Sequence, residues 1–309
     1  MRLPYSNLIS PNIVSNWFQP WSATPLFTNP ADGFVDFTIE EKFPALSLIT
    51  SPFEAEWNEF SSWSLYLREN WKTPIIVSLL YLAGLVIGQK LMSKRTAFDL
   101  KYPLFLWNSL LAVFSIVGVI RVVPSLLYGL ASNGPMYYMC RNASVGYGRG
   151  PLGFWSVLFV LSKYAELIDT LFLVLRKKPV PFLHWFHHFT VLLISIGTIM
   201  VFGPTGIVMI GMNFFVHSIM YSYYAIAAIT RPPKWGQLVT VLQIAQMVIG
   251  LAMTGGIAYG ALTVPNCDVN MGNALGIAFI YSSYLFLFLR FYWHRYTKRP
   301  IKDNIKKSE

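Results

Sequence analysis

Charge is scarce in this chain. Only 12% of its 309 residues are charged, while 54% are hydrophobic and 16% aromatic; a soluble domain carries about 25% charged residues. That shortage excludes a disordered chain and argues against a soluble enzyme. Acids are scarcer still: 14 Asp and Glu stand against 24 Lys and Arg, a net charge of +10. The bases lie scattered between apolar runs. That pattern suits no nucleic-acid partner and does suit a polytopic membrane protein with basic loops. Cysteine is almost missing. The two present, Cys140 and Cys267, are too few for a disulfide scaffold or a Cys-rich metal site. Residues 1–20 hold no continuous apolar stretch, so the start does not read as a signal peptide.

What the sequence has in quantity is long apolar runs. A spanning helix needs about 20 mostly apolar residues. Seven segments qualify: 73–92, 104–130, 152–175, 183–203, 205–229, 237–262 and 271–293. Lys and Arg in the short loops set orientation. One side collects 15 of them, from Lys90 and Lys94 through Arg176, Lys177, Lys178, Arg231 and Lys234 to the tail; the other has Arg141 and Arg149 alone. The C-terminus is therefore expected in the cytosol and the N-terminus across the membrane. Four regions follow: a luminal irregular extension (1–53), a luminal interfacial helix (54–72), a seven-span body (73–293) and a cytosolic basic tail (294–309). Residues 1–72 hold eight acids and four bases, opposite in sign to the rest.

Three features test this topology. Cys140 and Cys267 both fall on the luminal side, where an oxidising lumen lets them pair; two free thiols are the alternative. The sequon at Asn142 is luminal too, a candidate glycan acceptor. The chain ends Lys306-Lys307-Ser308-Glu309, which resembles a dilysine retrieval signal of endoplasmic reticulum (ER) proteins and works only in the cytosol.

Ionisable groups inside spans point to function. Lys163, Glu166, Asp169 and Thr170 share one helical stripe, although Lys163 and Glu166 also make a self-neutralising structural pair. His184, His187 and His188, at i, i+3 and i+4, put three imidazoles on one face. Asn213, His217, Tyr221 and Tyr224 form a third stripe. Thr240, Gln243 and Gln246 form a fourth, for which interhelical hydrogen bonding is the plain alternative. All lie in the cytosolic half or near the middle of their spans. The luminal parts of spans 4 and 6 are apolar. A polar chamber above an apolar shaft fits an amphiphile with a charged head and a long alkyl tail.

Histidine chemistry divides two ways. The chain has five His, too few for a membrane di-iron centre; a three-His zinc site stays open. The metal-free route uses neutral imidazole as nucleophile and proton carrier. With both cysteines luminal, an acyl-transfer enzyme must hold its acyl group on histidine or hold none covalently.

KYAELIDT (163–170), HWFHH (184–188), NFFVHSIMYSYY (213–224) and TVLQIAQ (240–246), in this order, resemble the signatures of the ELO family of very-long-chain fatty acid elongases. The resemblance covers residues 60–309. It implies an all-α membrane protein with seven spans, spans 2–7 forming an inverted barrel around an acyl tunnel. It implies an ER enzyme that condenses acyl-CoA with malonyl-CoA to a 3-ketoacyl-CoA, releasing CO2 and CoA. No metal and no cofactor beyond these substrates is implied. Membrane lipid surrounds it. The ketoacyl reductase, dehydratase and enoyl reductase of the cycle become candidate partners, with a homodimer a further candidate. His187 is the expected nucleophile, tuned by His184 and His188. Asn213 and His217 would stabilise an enolate or oxyanion. Lys163, Glu166 and Asp169 would orient the histidines or bind the CoA head. Gln243 and Gln246 would take the thioester or pantetheine amides. Thr170, Tyr221, Tyr224 and Thr240 line the site. Arg176, Lys177, Lys178, Arg231 and Lys234 would attract CoA phosphates, or simply obey the positive-inside rule. Trp185 resembles the branch acting on saturated and monounsaturated chains, a polyunsaturated-specific elongase being the alternative. A seven-span receptor or transporter is the remote one.

Overall fold

In hydrocarbon every backbone polar group must be satisfied within the chain, and helices do this locally. The computed structural model describes residues 48–264, 267 and 269–297, and among these residues the regular structure is helical throughout. The first 47 residues and the tail from 298, with Lys306 and Lys307, lie outside the described residues.

The order is α1 (Pro52–Ala55), α2 (Phe60–Glu69), α3 (Lys72–Ser93), α4 (Lys101–Asn133), α5 (Tyr137–Cys140), α6 (Ala143–Gly146), α7 (Gly150–Glu166), α8 (Ile168–Leu175), α9 (Phe182–Met200), α10 (Gly206–Ile229), α11 (Gly236–Thr263) and α12 (Met271–Tyr292), followed by a π turn at Trp293–Thr297. Five of these helices are long and apolar enough to cross a membrane: α3, α4, α9, α11 and α12 with its π turn. Their outward faces carry large exposed apolar residues, such as Ile76, Leu80 and Ile87 on α3, as a lipid-facing surface requires.

One of the seven expected spans differs from its sequence reading. The third, expected as one helix over 152–175, is two: α7 and α8 meet at Leu167. No proline or glycine stands there. Leu167 keeps helical angles (φ −61°, ψ −23°), but Leu167 N and Thr170 N reach back only three residues, to Tyr164 O and Leu167 O. The turn tightens while the rod continues. The fifth, α10, is 24 residues long; Asn213, His217 and its tyrosines lower its apolar character.

Helices in lipid pack by close approach of small residues. α4 packs along α10, with the Phe214 ring lying where a Cβ on Gly118 would stand, 2.5 Å away. α11 packs on α12 in the same way: a Cβ on Gly250 would lie 2.1 Å from the Tyr281 ring.

On the side expected to be luminal, short elements seal the bundle. α2 seats on the end of the bundle. Its face Phe60, Ser64 and Leu67 is buried against α7 and α9. Ser64 Oγ donates to Ile199 O (3.0 Å) and Arg68 Nε to Met200 O (2.5 Å), so α2 caps the orphan carbonyls at the end of α9. Tyr147 OH donates to Gly203 O (2.7 Å). α1 opens on a capping box, Ser51 with Glu54. Glu54 then accepts from Arg121 Nε (3.1 Å) and Trp155 Nε1 (2.6 Å). Arg121 pairs with Glu54 and also donates to Ile49 O. Cys140 and Cys267 are joined by a disulfide (S–S 2.00 Å) beside Gly260, tying α5 to the loop after α11. Asn142, the candidate glycan acceptor, is buried, and its Oδ1 accepts from Ser144 N (3.0 Å) and Ser144 Oγ (2.7 Å) as an N-cap.

Candidate active site

The first polar group joins α7 to α10. Lys163 is buried, and its Nζ donates to Glu166 Oε1 (2.6 Å) and to Asn213 Oδ1 (3.0 Å), while sitting 4.1 Å from the Phe159 ring centroid. Ser162 Oγ adds a donor to Glu166 Oε1 (3.2 Å). These contacts orient the asparagine. An ammonium only donates, so Asn213 must present its oxygen to Lys163 and its NH2 to His217. Asn213 Nδ2 lies 3.1 Å from His217 Nε2. His217 Nε2 therefore accepts, and the ring proton sits on Nδ1, 3.9 Å from Glu166 Oε1. The second oxygen of Glu166 has no hydrogen-bond partner among the described residues.

The second group joins α8 to α4 and α10. Asp169 accepts from Trp107 Nε1 at Oδ1 (2.6 Å) and from Tyr221 OH at Oδ2 (2.9 Å). The Tyr221 and His217 rings meet edge to face at 5.2 Å, which links the two groups. The third crosses from α3 to α9: Tyr81 OH and Thr170 Oγ1 are 2.8 Å apart, and Thr170 Oγ1 is 2.9 Å from His184 Nε2.

The three box histidines do share a face. The rings of His184 and His188 lie 4.5 Å apart and those of His187 and His188 5.5 Å. His188 Nδ1 is buried with no partner among the described residues. On α12, Tyr284 packs its ring 4.9 Å from that of His187, donates to His187 O (3.3 Å) and pairs with Thr190 Oγ1 (2.6 Å). Among the described residues no three His, Cys, Asp or Glu side chains converge to hold a metal ion.

His187, Asn213 and Tyr284 of these groups border a cavity of about 70 Å³. At one end stand His187, Asn213, Gln246, Tyr281 and Tyr284. From there the wall runs down α9 through Val191, Ile194 and Ser195 to Thr198 and Ile199, faced by Met209, Ile210 and Gly206 of α10. Beyond Ile199 lie the caps from Ser64 and Arg68. The cavity is thus polar at its histidine end and mainly apolar along its length.

Other expected residues lie elsewhere. Tyr224 is 43% exposed and meets the Tyr223 ring edge to face. Thr240 faces Tyr296 OH (3.4 Å), and Gln243 Nε2 meets Met220 Sδ (3.2 Å). Lys177 Nζ donates to Ser93 O (3.3 Å) and Arg95 O (3.0 Å) at the end of α3, which leaves one of its three N–H donors. Arg231, Lys234 and Lys178 are exposed, and Arg176 is half-buried. Sequence reasoning passed over Tyr81, Trp107, Thr190 and Tyr284. A hydroxyl or indole N–H within an apolar run was the only signal they gave.

A family model described as ELO, GNS1/SUR4 family, matches residues 66–304. The chain is 42% identical over 237 residues to "Very long chain fatty acid elongase 6" of Drosophila melanogaster, covering 75% of this chain and 74% of that one. It is 38% identical over 256 residues to the human protein of the same name, covering 81% and 94%. Against "Putative fatty acid elongase 3" of Caenorhabditis elegans it is 38% identical over 268 residues, covering 84% and 82%.

Proposed function

Because the chain belongs to the ELO family, we propose that it is a condensing enzyme of fatty acid elongation, joining acyl-CoA and malonyl-CoA into a 3-ketoacyl-CoA two carbons longer. The observation that carries this reading is the cavity with His187 and Asn213 at its polar end and an apolar wall along α9 and α10 below. An acyl chain fills the shaft, and its thioester stops at the imidazole.

The chemistry divides in two. A neutral His187 nitrogen attacks the thioester carbonyl; the C–S bond breaks, CoA leaves and takes the imidazole proton, and the acyl group stays on His187. Malonyl-CoA then loses CO2. The electron pair of the broken C–C bond becomes an enolate, whose carbon attacks the acyl-imidazole carbonyl. The C–N bond breaks, and His187 regains a proton from the surrounding groups. Asn213 and His217, fixed by Lys163 and Glu166, stand where oxyanion charge develops. His184, held by Thr170, and His188 relay protons. Gln246 serves the thioester end.

Cavity depth bears on chain length. His187 to Thr198 is eleven residues of α9, about 16 Å at ~1.5 Å per residue. A zigzag of ~1.52 Å bonds at ~111° advances roughly 1.25 Å per methylene, so the shaft takes about 13 methylenes, an acyl group of roughly 14–16 carbons. We read the substrate as a saturated or monounsaturated long-chain acyl-CoA, in keeping with Trp185.

The finer topology belongs to the same proposal. The α7–α8 rod and α10 complete seven spans with the five long helices. Six of them, from α4 onward, surround the cavity as a barrel, with α3 at its side. The Lys- and Arg-rich loops mark the cytosolic face of the ER, and the disulfide marks the lumen. A ketoacyl reductase must take the product, followed by a dehydratase and an enoyl reductase. Microsomes carrying the chain, given labelled malonyl-CoA and acyl-CoAs of graded length and unsaturation, test the reading. Label should enter saturated and monounsaturated chains near the stated length. Incorporation only into polyunsaturated chains would overturn the specificity, and no incorporation with any acceptor would overturn the activity.

A further inference from the structure

A second hollow lies outside the catalytic cavity. It is a groove of about 490 Å³ between α3 and the α7–α8 rod. Its walls are apolar and open sideways: Leu91 is 62% exposed and Leu171 52%. The slot is open beside Gly84, where an added Cβ would meet nothing within 4 Å, so a larger side chain there would occupy it. The deep end is polar, with the Tyr81 and Thr170 hydroxyls of the chain that reaches His184. The other end carries Arg95, with the Lys177 ammonium 3.0 Å from its carbonyl oxygen. Neither cation meets a carboxylate among the described residues.

The dimensions match one leaflet. Tyr81 to Leu91 is ten residues of α3, about 15 Å, half of a roughly 30 Å hydrocarbon core. Arg95 lies one turn further, at headgroup level. An amphiphile in this groove must enter from the bilayer, keep its chain along α3 and place its charge at Arg95 and Lys177. Two cations suit one phosphate. We propose that the groove is a binding site for one anionic glycerophospholipid of the leaflet on the Lys- and Arg-rich side. The bound lipid then lies beside the Tyr81–Thr170 pair that holds His184. The site does not depend on the elongase activity.

Nanodiscs of equal phosphatidylcholine and phosphatidylserine, followed by mild extraction and native mass spectrometry, test it. The wild type should retain one phosphatidylserine, enriched at least about fivefold over phosphatidylcholine, the ratio expected from a single Lys or Arg at a membrane surface. Gly84→Leu fills the slot and should lose the adduct of either lipid. Arg95→Gln should keep a lipid but lose about fivefold in headgroup preference. Equal retention of both lipids by the wild type overturns the proposal. So does an undiminished adduct in folded Gly84→Leu protein. If Gly84→Leu fails to fold, Arg95→Gln decides, and an unchanged headgroup preference overturns the proposal.

Discussion

Lys163 Nζ lies 2.6 Å from Glu166 Oε1, and the two side chains are 1% and 4% exposed. Removing one member leaves a buried charge and costs about 3–5 kcal/mol. Lys163→Met and Glu166→Gln should each lower thermal stability in detergent by that order and abolish condensation. The double variant Lys163→Met with Glu166→Leu should recover most of the stability and none of the activity, because Asn213 has lost its orienting donor. Recovery of both would reduce the pair to packing.

The Cys140–Cys267 disulfide closes a sequence separation of 127. In the chain-entropy account a loop of that size is worth about 4–5 kcal/mol. Reductant, or Cys140→Ala with Cys267→Ala, should lower the melting temperature by the same amount. An effect of reductant that persists in the double variant would assign it to another group.

Glu54 sets an acid limit. Burial alone would raise its pKa, but the Ser51 N–H, the Trp155 indole, the Ser51 hydroxyl and Arg121 together hold it below the ordinary 4.5. A lowered carboxyl pKa stabilises the fold fully above the ordinary value, and that contribution disappears as pH falls through the lowered one. Glu54→Gln should cost about 2 kcal/mol at neutral pH, the scale of hydrogen bonds to a charged group. It should also flatten the loss of stability below pH 4.5. An unchanged acid limb would remove Glu54 as its source.

The shaft wall predicts a length limit. Ser195 is eight residues below His187 on α9, about 12 Å at ~1.5 Å per residue. Ser195→Leu narrows the shaft there. Acceptor preference in the elongation assay should move to chains shorter by about 3–4 carbons, as the lost depth divided by the advance per methylene requires. An unaltered profile would mean that the acyl chain does not run along α9.

Much of this site is legible in the sequence because a membrane leaves little else for such residues to do. Lys163, Glu166, Asn213 and the His184–His188 face stand out as polar groups in apolar runs, and their i, i+3, i+4 spacing already places each set on one side of a helix. Their partners were hidden. Tyr81 meets Thr170 across 89 residues, Trp107 meets Asp169 across 62 and Tyr284 meets His187 across 97. A lone tyrosine or tryptophan in a span is ordinary, and nothing local says what it faces. The tightened turn at Leu167 carries neither proline nor glycine, so no breaker announced it. Asn142 satisfies the sequon pattern, but its burial depends on how α5, α6 and the end of α9 fold over it. Tyr224 follows the stripe of Asn213, His217 and Tyr221, yet sits at its edge, where the helix has turned outward.

The central claim is that His187 takes the acyl group at the top of the shaft. Purified protein incubated with acyl-CoA alone, without malonyl-CoA, should release CoA and gain the mass of one acyl group. Peptide mapping should find that group on the segment holding His187, and malonyl-CoA added afterwards should discharge it as 3-ketoacyl-CoA. His187→Ala should do neither while still folding. Undiminished acylation of His187→Ala protein, or an acyl group that malonyl-CoA cannot discharge, would contradict it.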